Sequence, residues 1–417
     1  MAFNTFNRGK LWIKLIKQKI PLELLKLIMK LHEKAWTSVI LGKGGAQSAR
    51  INTPNGLRLG SILAPILFSL NIVDVPDSLN TPRAYPPKLN GVDLPAVFYA
   101  DDTIIMDQTP IGLQHQLDAF SKYCKENDLI INTSKTQVMV FSRGRQKRQM
   151  RNWFIDGCKL VVTSEYRYLG LLFTLNLSFR EHFSQQETKA MALAATLKKL
   201  DVTLAYKSVV TLMRLYNAKI VPLLLYGTEI MTEDETRRLA QIEMRIWKKW
   251  LDLPLGSVNS VIRLELGLTQ IAIKHWQRVL GYRVAMEQAP NESFRGRLRN
   301  SLLGTGVEKW CSLVNNIMSD LAVPALPELL TFSKGQRREL IKEACKKWSH
   351  CKEQEVIMER PNLKHLWEFN YKGTIQPYLT WILPRDKRRW LLKIILGQVA
   401  RAFYEKELGP TPIHQVP

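Results

Sequence analysis

Two adjacent carboxylates, Asp101 and Asp102, stand between two runs of strand-forming residues, Val97-Phe98-Tyr99 before them and Thr103-Ile104-Ile105 after them. The pattern reads as a β-hairpin in which residues 95–100 rise, the aspartates sit in or beside the turn, and residues 103–106 descend. Adjacent acids at a strand end gather divalent cations for phosphoryl chemistry, because magnesium takes hard oxygen ligands. Aspartates are also ordinary turn residues that point to water, so the pair by itself leaves both readings open.

The elements that must position the pair are legible around it. Residues 9–36 read as two helices broken at Pro21. The first is mostly buried through Leu11, Ile13, Leu15 and Ile16; the second is lined on one side by Leu24, Leu25, Ile28, Met29 and Leu31. Residues 37–41 and 47–53 read as strands joined by a glycine-rich turn. The stretch Pro54-Asn55-Gly56-Leu57-Arg58-Leu59-Gly60 is a loop entering an apolar helix, with Ser61 placed to cap it and Pro65 in its early turns. Glycines there let the backbone lie against something flat or bulky, although a plain loop-to-helix junction has the same composition.

Downstream, Thr109-Pro110 opens a helix with Leu113, Leu117, Phe120 and Cys124 on its inner side and Asn127-Asp128 at its end. Residues 129–132 and 136–141 read as short strands flanking Lys135. Arg143, Arg145, Lys147, Arg148 and Arg151 form a basic run, either a solvated loop or a phosphate contact. Asp156-Gly157 marks a hairpin turn, and residues 166–173 read as a strand broken by Gly170. From residue 178 the pattern is helical, with apolar stripes through Phe183, Ala190 and Leu197 and through Val209, Leu212, Tyr216 and Ile220. A helix over 233–251 opens on a Thr232-x-x-Glu235 capping box and buries Leu239, Ile242, Ile246 and Trp250. Its other side carries Arg237, Arg238, Arg245, Lys248 and Lys249, a face that is either simply solvated or able to follow a phosphate backbone. Amphipathic helices continue to residue 404, the last over 385–404.

The 417 residues carry a formal net charge of +23. So large an excess repels itself unless a polyanion is near, and nucleic acid is the first candidate. No uninterrupted apolar run is long enough to span a bilayer, and the first residues lack the apolar core of a signal peptide. The chain is therefore expected inside the cell, in nucleus or cytoplasm, and not secreted. Five scattered cysteines argue for a reducing compartment, and Cys345, His350 and Cys351 match no standard zinc spacing.

Taken in order, these motifs resemble the palm of a reverse transcriptase, and within that group the non-LTR (LINE-type) retrotransposon polymerases. Gly56-Leu57-Arg58-Leu59-Gly60 with Ala64-Pro65 is similar to the family's G-x-R-Q-G-x-x-x-S/A-P motif, Tyr99-Ala100-Asp101-Asp102 to its catalytic motif, and Asn132-x-x-Lys135-Thr136 to its lysine motif. Tyr168-Leu169-Gly170 is similar to the primer-grip strand, and Trp250 to Gly267 to the helical region that follows the polymerase. The resemblance covers at least residues 2–280. It implies an α+β fold: a partial palm over 1–175, a mixed or antiparallel sheet with helices on one face, then a helical thumb-like region over 176–255 and a helical C-terminal region over 256–417. It implies two Mg2+ ions about 3.5–4 Å apart, held in part by Asp101 and Asp102. Phe3, Gly60 and Lys135 would attend the nucleotide. Arg58, Arg143, Arg145, Lys147, Arg148, Tyr168 and Gly170 would attend the RNA template and the DNA primer or target.

The departures matter as much. The family's other metal-binding aspartate belongs three residues before Met1 and is absent, Asn4 replaces a second aspartate, and Leu59 replaces the motif glutamine. Glu23 and Glu33, the nearest upstream acids, fall on amphipathic helices. The resemblance thus implies an N-terminally truncated relative lacking fingers and the first catalytic strand, in which the dNTP chemistry is incomplete. A non-catalytic RNA- or DNA-binding remnant is the alternative.

Overall fold

A computed structural model of the chain describes residues 6–33, 35–41, 45–53, 55–58, 60–141, 151–203, 209–230, 233–304, 308–359 and 375–376. The chain divides into two compact units, residues 1–166 and 167–417. The fold is mixed α and β, with small, mostly antiparallel sheets.

In the first unit, helices α1 (Arg8–Lys17) and α2 (Leu22–Glu33) precede a long hairpin of two short ladders. Its strands are β1 (Trp36–Thr37), β2 (Ile40–Leu41), β3 (Ala46–Gln47) and β4 (Ile51–Asn52), with β1 paired to β4 and β2 to β3. Then come α3 (Ala64–Asn71), α4 (Val75–Leu79), the hairpin β5 (Lys88–Leu89) with β6 (Val92–Asp93), and the hairpin β7 (Ala96–Tyr99) with β8 (Asp102–Ile105). Helix α5 (Pro110–Glu126) follows, then β9 (Gln137–Val138), the hairpin β10 (Phe154–Ile155) with β11 (Cys158–Lys159), and β12 (Val161–Val162), which lies parallel to β9.

Helix α5 is the spine of this unit. Thr109 caps it, its hydroxyl accepting from the Gly112 amide at 3.0 Å, with Pro110 in the first turn where a missing N–H costs nothing. One side of α5 joins the core of Leu11, Leu15, Leu67 and Phe68 through Tyr123 and Cys124; the other side, through Leu117, joins Val138, Trp153, Ile155 and Leu160. A polar knot fixes α1 against α4 and α5. Lys14 Nζ donates to the Asn71 carbonyl at 2.6 Å and to Asp74 Oδ1 at 2.9 Å, while the Tyr123 hydroxyl donates to Asp74 at 2.5 Å. Burial pushes the Asp74 carboxyl up, but hydrogen bonds from Tyr123 and Lys14 outweigh it and hold the group below its ordinary value.

Several sequence expectations for this unit need correction. Leu11 and Leu15 are buried, but Ile13 and Ile16 are exposed, as are Leu24, Met29 and Leu31 on α2, where only Leu25 and Ile28 of the apolar set are buried. A helix apolar on more than one side needs cover on each, and the described residues supply it on one. Among them, 22 of the 27 exposed large hydrophobic side chains lie at or before Val161. Residues 129–132 form no strand: the Leu129 amide donates to the Cys124 carbonyl at 2.8 Å at the end of α5, and the Asn132 carbonyl is taken by the turn that follows. Ser61 does not cap α3. That helix begins at Ala64 after Leu63, and the Ser61 hydroxyl instead accepts from the Leu63 amide at 3.3 Å.

A hairpin that begins in the last two residues of the first unit replaces the expected broken strand: β13 (Glu165–Tyr168) and β14 (Leu171–Thr174) are neighbours joined by Leu169-Gly170, and the second unit starts at Arg167. Helices α6 (Arg180–Thr203), α7 (Val209–Leu215) and α8 (Val221–Leu224) follow. Between α7 and α8 the turn Tyr216–Ile220 is a π-turn, in which the Val221 amide donates to the Tyr216 carbonyl five residues back. Pro222 explains it, since proline lacks the amide that an α-helical ladder would need there. The remaining described helices are α9 (Glu233–Trp250), α10 (Asn259–Leu266), α11 (Ile271–Glu287), α12 (Phe294–Gly304), α13 (Glu308–Asp320), α14 (Leu326–Leu329) and α15 (Lys334–Met358). Helix α9 buries Leu239, Ile242, Ile246 and Trp250 as its periodicity predicts. Tyr216, Trp247 and Trp250 pack edge-on or tilted with centroids 5.2–6.3 Å apart. Thr232 and the helix expected over 385–404 lie outside the described residues.

The basic face of α9 is only partly a solvated face. Arg238 Nη2 and Arg245 Nη1 close on Glu187 at 2.7 and 3.0 Å, and Lys248 is buried with its Nζ donating to the Leu255 carbonyl at 2.6 Å.

Candidate functional site

The aspartate hairpin is built as the alternation predicts. Tyr99 pairs with Asp102, Phe98 with Thr103, Val97 with Ile104 and Ala96 with Ile105, leaving Ala100-Asp101 as a two-residue loop. Asp101 lies in the turn, Asp102 is the first residue of β8, and both are exposed. Ala100 has φ +53°, the left-handed region that favours glycine. The hairpins without a predicted role fill such positions with turn residues, Asn90-Gly91 and Asp156-Gly157. Strained backbone concentrates at functional sites, which makes this turn a candidate on geometry as well as on motif. Ala100→Gly is expected to raise the unfolding free energy by about 0.5–1 kcal/mol, read by urea denaturation. A loss of stability would show instead that contacts of the Ala100 methyl hold the turn.

The glycine-bearing loop is fastened from the start of α1. Arg8 donates through Nε to the Gly56 carbonyl at 2.6 Å, through Nη1 to His32 O at 2.9 Å and through Nη2 to Asn55 O at 3.2 Å. The Gly56 amide donates to the Phe6 carbonyl at 2.9 Å, and the buried Phe6 ring meets Phe68 edge-on at 6.1 Å. Burial, then the charge of Arg58, lowers the Arg8 pKa, though the group stays cationic. Arg58 is exposed. Gly60 has φ +81° and open space where a Cβ would stand, so the backbone conformation, not a neighbouring atom, calls for glycine there. Sequence reasoning did not single out Arg8, and its spacing from Gly56 carries no signal that could have done so.

Lys135 is exposed on a turn organised by Asn132. The Asn132 carbonyl accepts from the amides of Lys135 at 3.2 Å and Thr136 at 3.1 Å, and its side-chain oxygen accepts from the Ser134 hydroxyl at 2.7 Å. Leu57 beside Arg58, Phe98 and Ile105 of the aspartate hairpin, and Ile131 before the lysine turn all pack into the same core. One core therefore anchors three of the predicted motifs. Tyr168 and Gly170 belong to the hairpin of β13 and β14. Phe3, Arg143, Arg145, Lys147 and Arg148 lie outside the described residues.

The donor set for a metal is incomplete. Asp101 and Asp102 offer hard oxygens, but among the described residues no group of three His, Cys, Asp or Glu side chains is placed to hold an ion. The next acid along the chain, Asp107, is committed elsewhere: its carboxylate accepts from the Tyr85 amide at 2.8 Å and from the Thr109 amide and hydroxyl at 2.7 and 2.9 Å. These residues alone do not fit a two-ion centre.

Residues 2–173 match the model of the family described as reverse transcriptase (RNA-dependent DNA polymerase). The chain is also 24% identical over 252 residues to the RNA-directed DNA polymerase from mobile element jockey of Drosophila funebris, covering 58% of this chain and 26% of that protein. It is 25% identical over 225 residues to the probable RNA-directed DNA polymerase from transposon BS of Drosophila melanogaster, covering 51% and 24% respectively. A third relative, the Pol polyprotein from a type-1 R2 retrotransposable element of Popillia japonica, is 23% identical over 153 residues, 35% of this chain and 25% of that one. The matched stretches span about a quarter of each of these relatives. The resemblance read from the motifs is thereby borne out: the chain is related to the reverse transcriptases of non-LTR retrotransposons. No helix among the described residues is long and apolar enough to cross a membrane.

Proposed function

We propose that this chain is a reverse-transcriptase-type protein that binds an RNA template and a DNA primer or target but does not polymerise by means of these 417 residues alone. The observation that carries the reading is the hairpin itself, Tyr99 to Asp102, with two exposed carboxylates and no third acid beside them among the described residues. Reverse transcriptases generally use divalent ions, and in-line phosphoryl transfer needs an ion on the attacking oxygen and another on the triphosphate. Asp101 and Asp102 supply part of that ligand set. The segment before α1 reads Met-Ala-Phe-Asn-Thr-Phe-Asn and contributes no carboxylate.

In this reading residues 1–175 are the palm, 176–255 a thumb-like region and 256–417 a helical C-terminal region. The nucleotide is assigned to Phe3, Gly60 and Lys135, and the strands to Arg58, Tyr168, Gly170 and the basic run of Arg143, Arg145, Lys147 and Arg148. The setting is the nucleus or cytoplasm, where such strands are found. The net charge of +23 favours the binding half of the proposal even where catalysis is absent. Primer extension by the purified chain with Mg2+ or Mn2+ is expected to give no template-directed product, and Asp101→Ala with Asp102→Ala is expected to leave strand affinity unchanged. Extension that disappears in the Asp101→Ala variant would overturn the proposed incompleteness.

A further inference from the structure

The second unit contains a turn held more firmly than a hairpin requires. Leu169 has φ +48° and Gly170 φ +82°, the pair of left-handed conformations of a two-residue hairpin turn, yet leucine is poorly suited to the first of them. Contacts replace the missing turn chemistry. The Tyr226 hydroxyl donates to the Leu169 carbonyl, and Arg167 Nη1 donates to the Gly170 carbonyl at 3.0 Å. The Tyr226 ring lies so close that a Cβ at Gly170 would stand 3.1 Å from its Cε1 and 3.3 Å from its hydroxyl. Tyr226 is itself held. A Cβ on Gly227 would stand 2.3 Å from Leu171 Cδ2, and the buried His182 accepts from the Leu172 amide through Nδ1 at 3.3 Å while its Nε2 faces the Tyr226 carbonyl at 3.5 Å.

A packing contact with this many restraints would ordinarily be buried, but this one is open. Tyr226 is 44% exposed, and Arg167 and Gly170 are exposed as well. Both tip carbonyls are already used inside the protein. What the tip presents is part of an aromatic ring and the charge of Arg167, whose Nη1 and Nη2 are held by the Gly170 carbonyl and by Gln185, both neutral groups that orient the charge without cancelling it, the pairing that suits a phosphate and a base.

We propose that Tyr226 is the positioning residue of this hairpin, fixing the 168–171 tip in the conformation in which it meets a nucleic-acid strand. The inference rests on the strand-binding reading above and adds the residue that makes the contact surface rigid. The hydroxyl does this by its bond to Leu169, so Tyr226→Phe removes the restraint and keeps the ring.

The test compares the full-length parent, Tyr226→Phe, Gly170→Ala and, as control, Tyr85→Phe at an exposed tyrosine of the first unit. Three quantities are read: affinity for an RNA template annealed to a recessed DNA primer, amide exchange across 165–174, and the thermal midpoint. Tyr226→Phe is expected to weaken affinity ~5–10-fold, the scale of one hydrogen bond, and to speed exchange at the tip while the midpoint stays near the parent's. Gly170→Ala is expected to weaken affinity further, and Tyr85→Phe to do neither. Unchanged affinity or unchanged tip exchange in Tyr226→Phe overturns the positioning role. A midpoint falling in step with affinity also overturns it, since that marks ordinary structural support. If the parent binds no strand, both the strand-binding reading and this inference fall; if only the variant matches the parent, this inference falls alone.

Discussion

Arg263→Met is expected to lower the unfolding free energy of the helical unit by about 3–5 kcal/mol, the cost of leaving buried charge without its partner. Arg263 on α10 is almost fully buried between two buried glutamates. Its Nη1 bonds Glu353 Oε1 of α15 at 3.0 Å, and its Nε stands 3.5 Å from Glu243 Oε2 of α9, a charge contact without hydrogen-bond geometry. Glu243 also accepts from the Tyr216 hydroxyl at 3.0 Å and from the Ile271 amide at 3.2 Å, and Gln270 donates to Glu353. One cation thus joins three helices, and removing it strands two carboxylates at once. Burial pushes the Glu243 carboxyl above its ordinary value, with Arg263 opposing the rise. A carboxyl raised in the folded state stabilises most below its unfolded pKa and loses that contribution as pH rises through the folded value. Without Arg263 the folded value rises further. The deficit of Arg263→Met should therefore be larger at pH 8 than at pH 5, and Glu243→Gln added to it should recover part of the loss. Urea unfolding at the two pH values measures this; a pH-independent deficit would show that Glu243 does not feel the lost charge.

The affinity of the chain for an RNA–DNA hybrid is expected to fall by about three to five orders of magnitude between 50 and 200 mM salt, the behaviour of a protein that neutralises about 6–10 phosphates. The charge of +23 sets the sign, but the structure decides which cations are available. Arg238 and Arg245 are taken by Glu187. Arg299 caps the end of α11 through the Glu287 carbonyl at 2.7 Å, and Arg337 holds the Leu330 carbonyl and Gln288. Arg8 binds three carbonyls in the first unit. Arg238→Ala should accordingly leave the slope of log affinity against log salt unchanged, whereas losing a true phosphate contact lowers it by about one. Fluorescence anisotropy across a salt series gives both slopes. A parent slope near zero would remove phosphate neutralisation as the source of binding.

The hairpin of Asp101 and Asp102 was legible because strand alternation and turn composition are local, and its pairing follows the alternation residue by residue. The same holds for Thr109-Pro110 and for Asp156-Gly157, where cap and turn chemistry lie within four residues. Ile13 and Ile16 were misread because periodicity reports which side of a helix is apolar, not whether anything lies against it. The strand expected to break at Gly170 turned back on itself because its glycine sits in a left-handed turn.

The sequence by itself determined the relationship to reverse transcriptases, the order of the motifs, the paired carboxylates and the cationic character, since each is a matter of residue type and short-range spacing. Only the tertiary structure decided that one core anchors the loop of Arg58, the aspartate hairpin and the lysine turn. Only there do Arg8 close on Gly56, Tyr226 on Leu169, and Arg263 on Glu243 and Glu353. These partners are 20 to 90 residues apart, and side-chain charge and hydrogen bonding act over a few ångströms of space, a separation that folding sets and sequence distance does not.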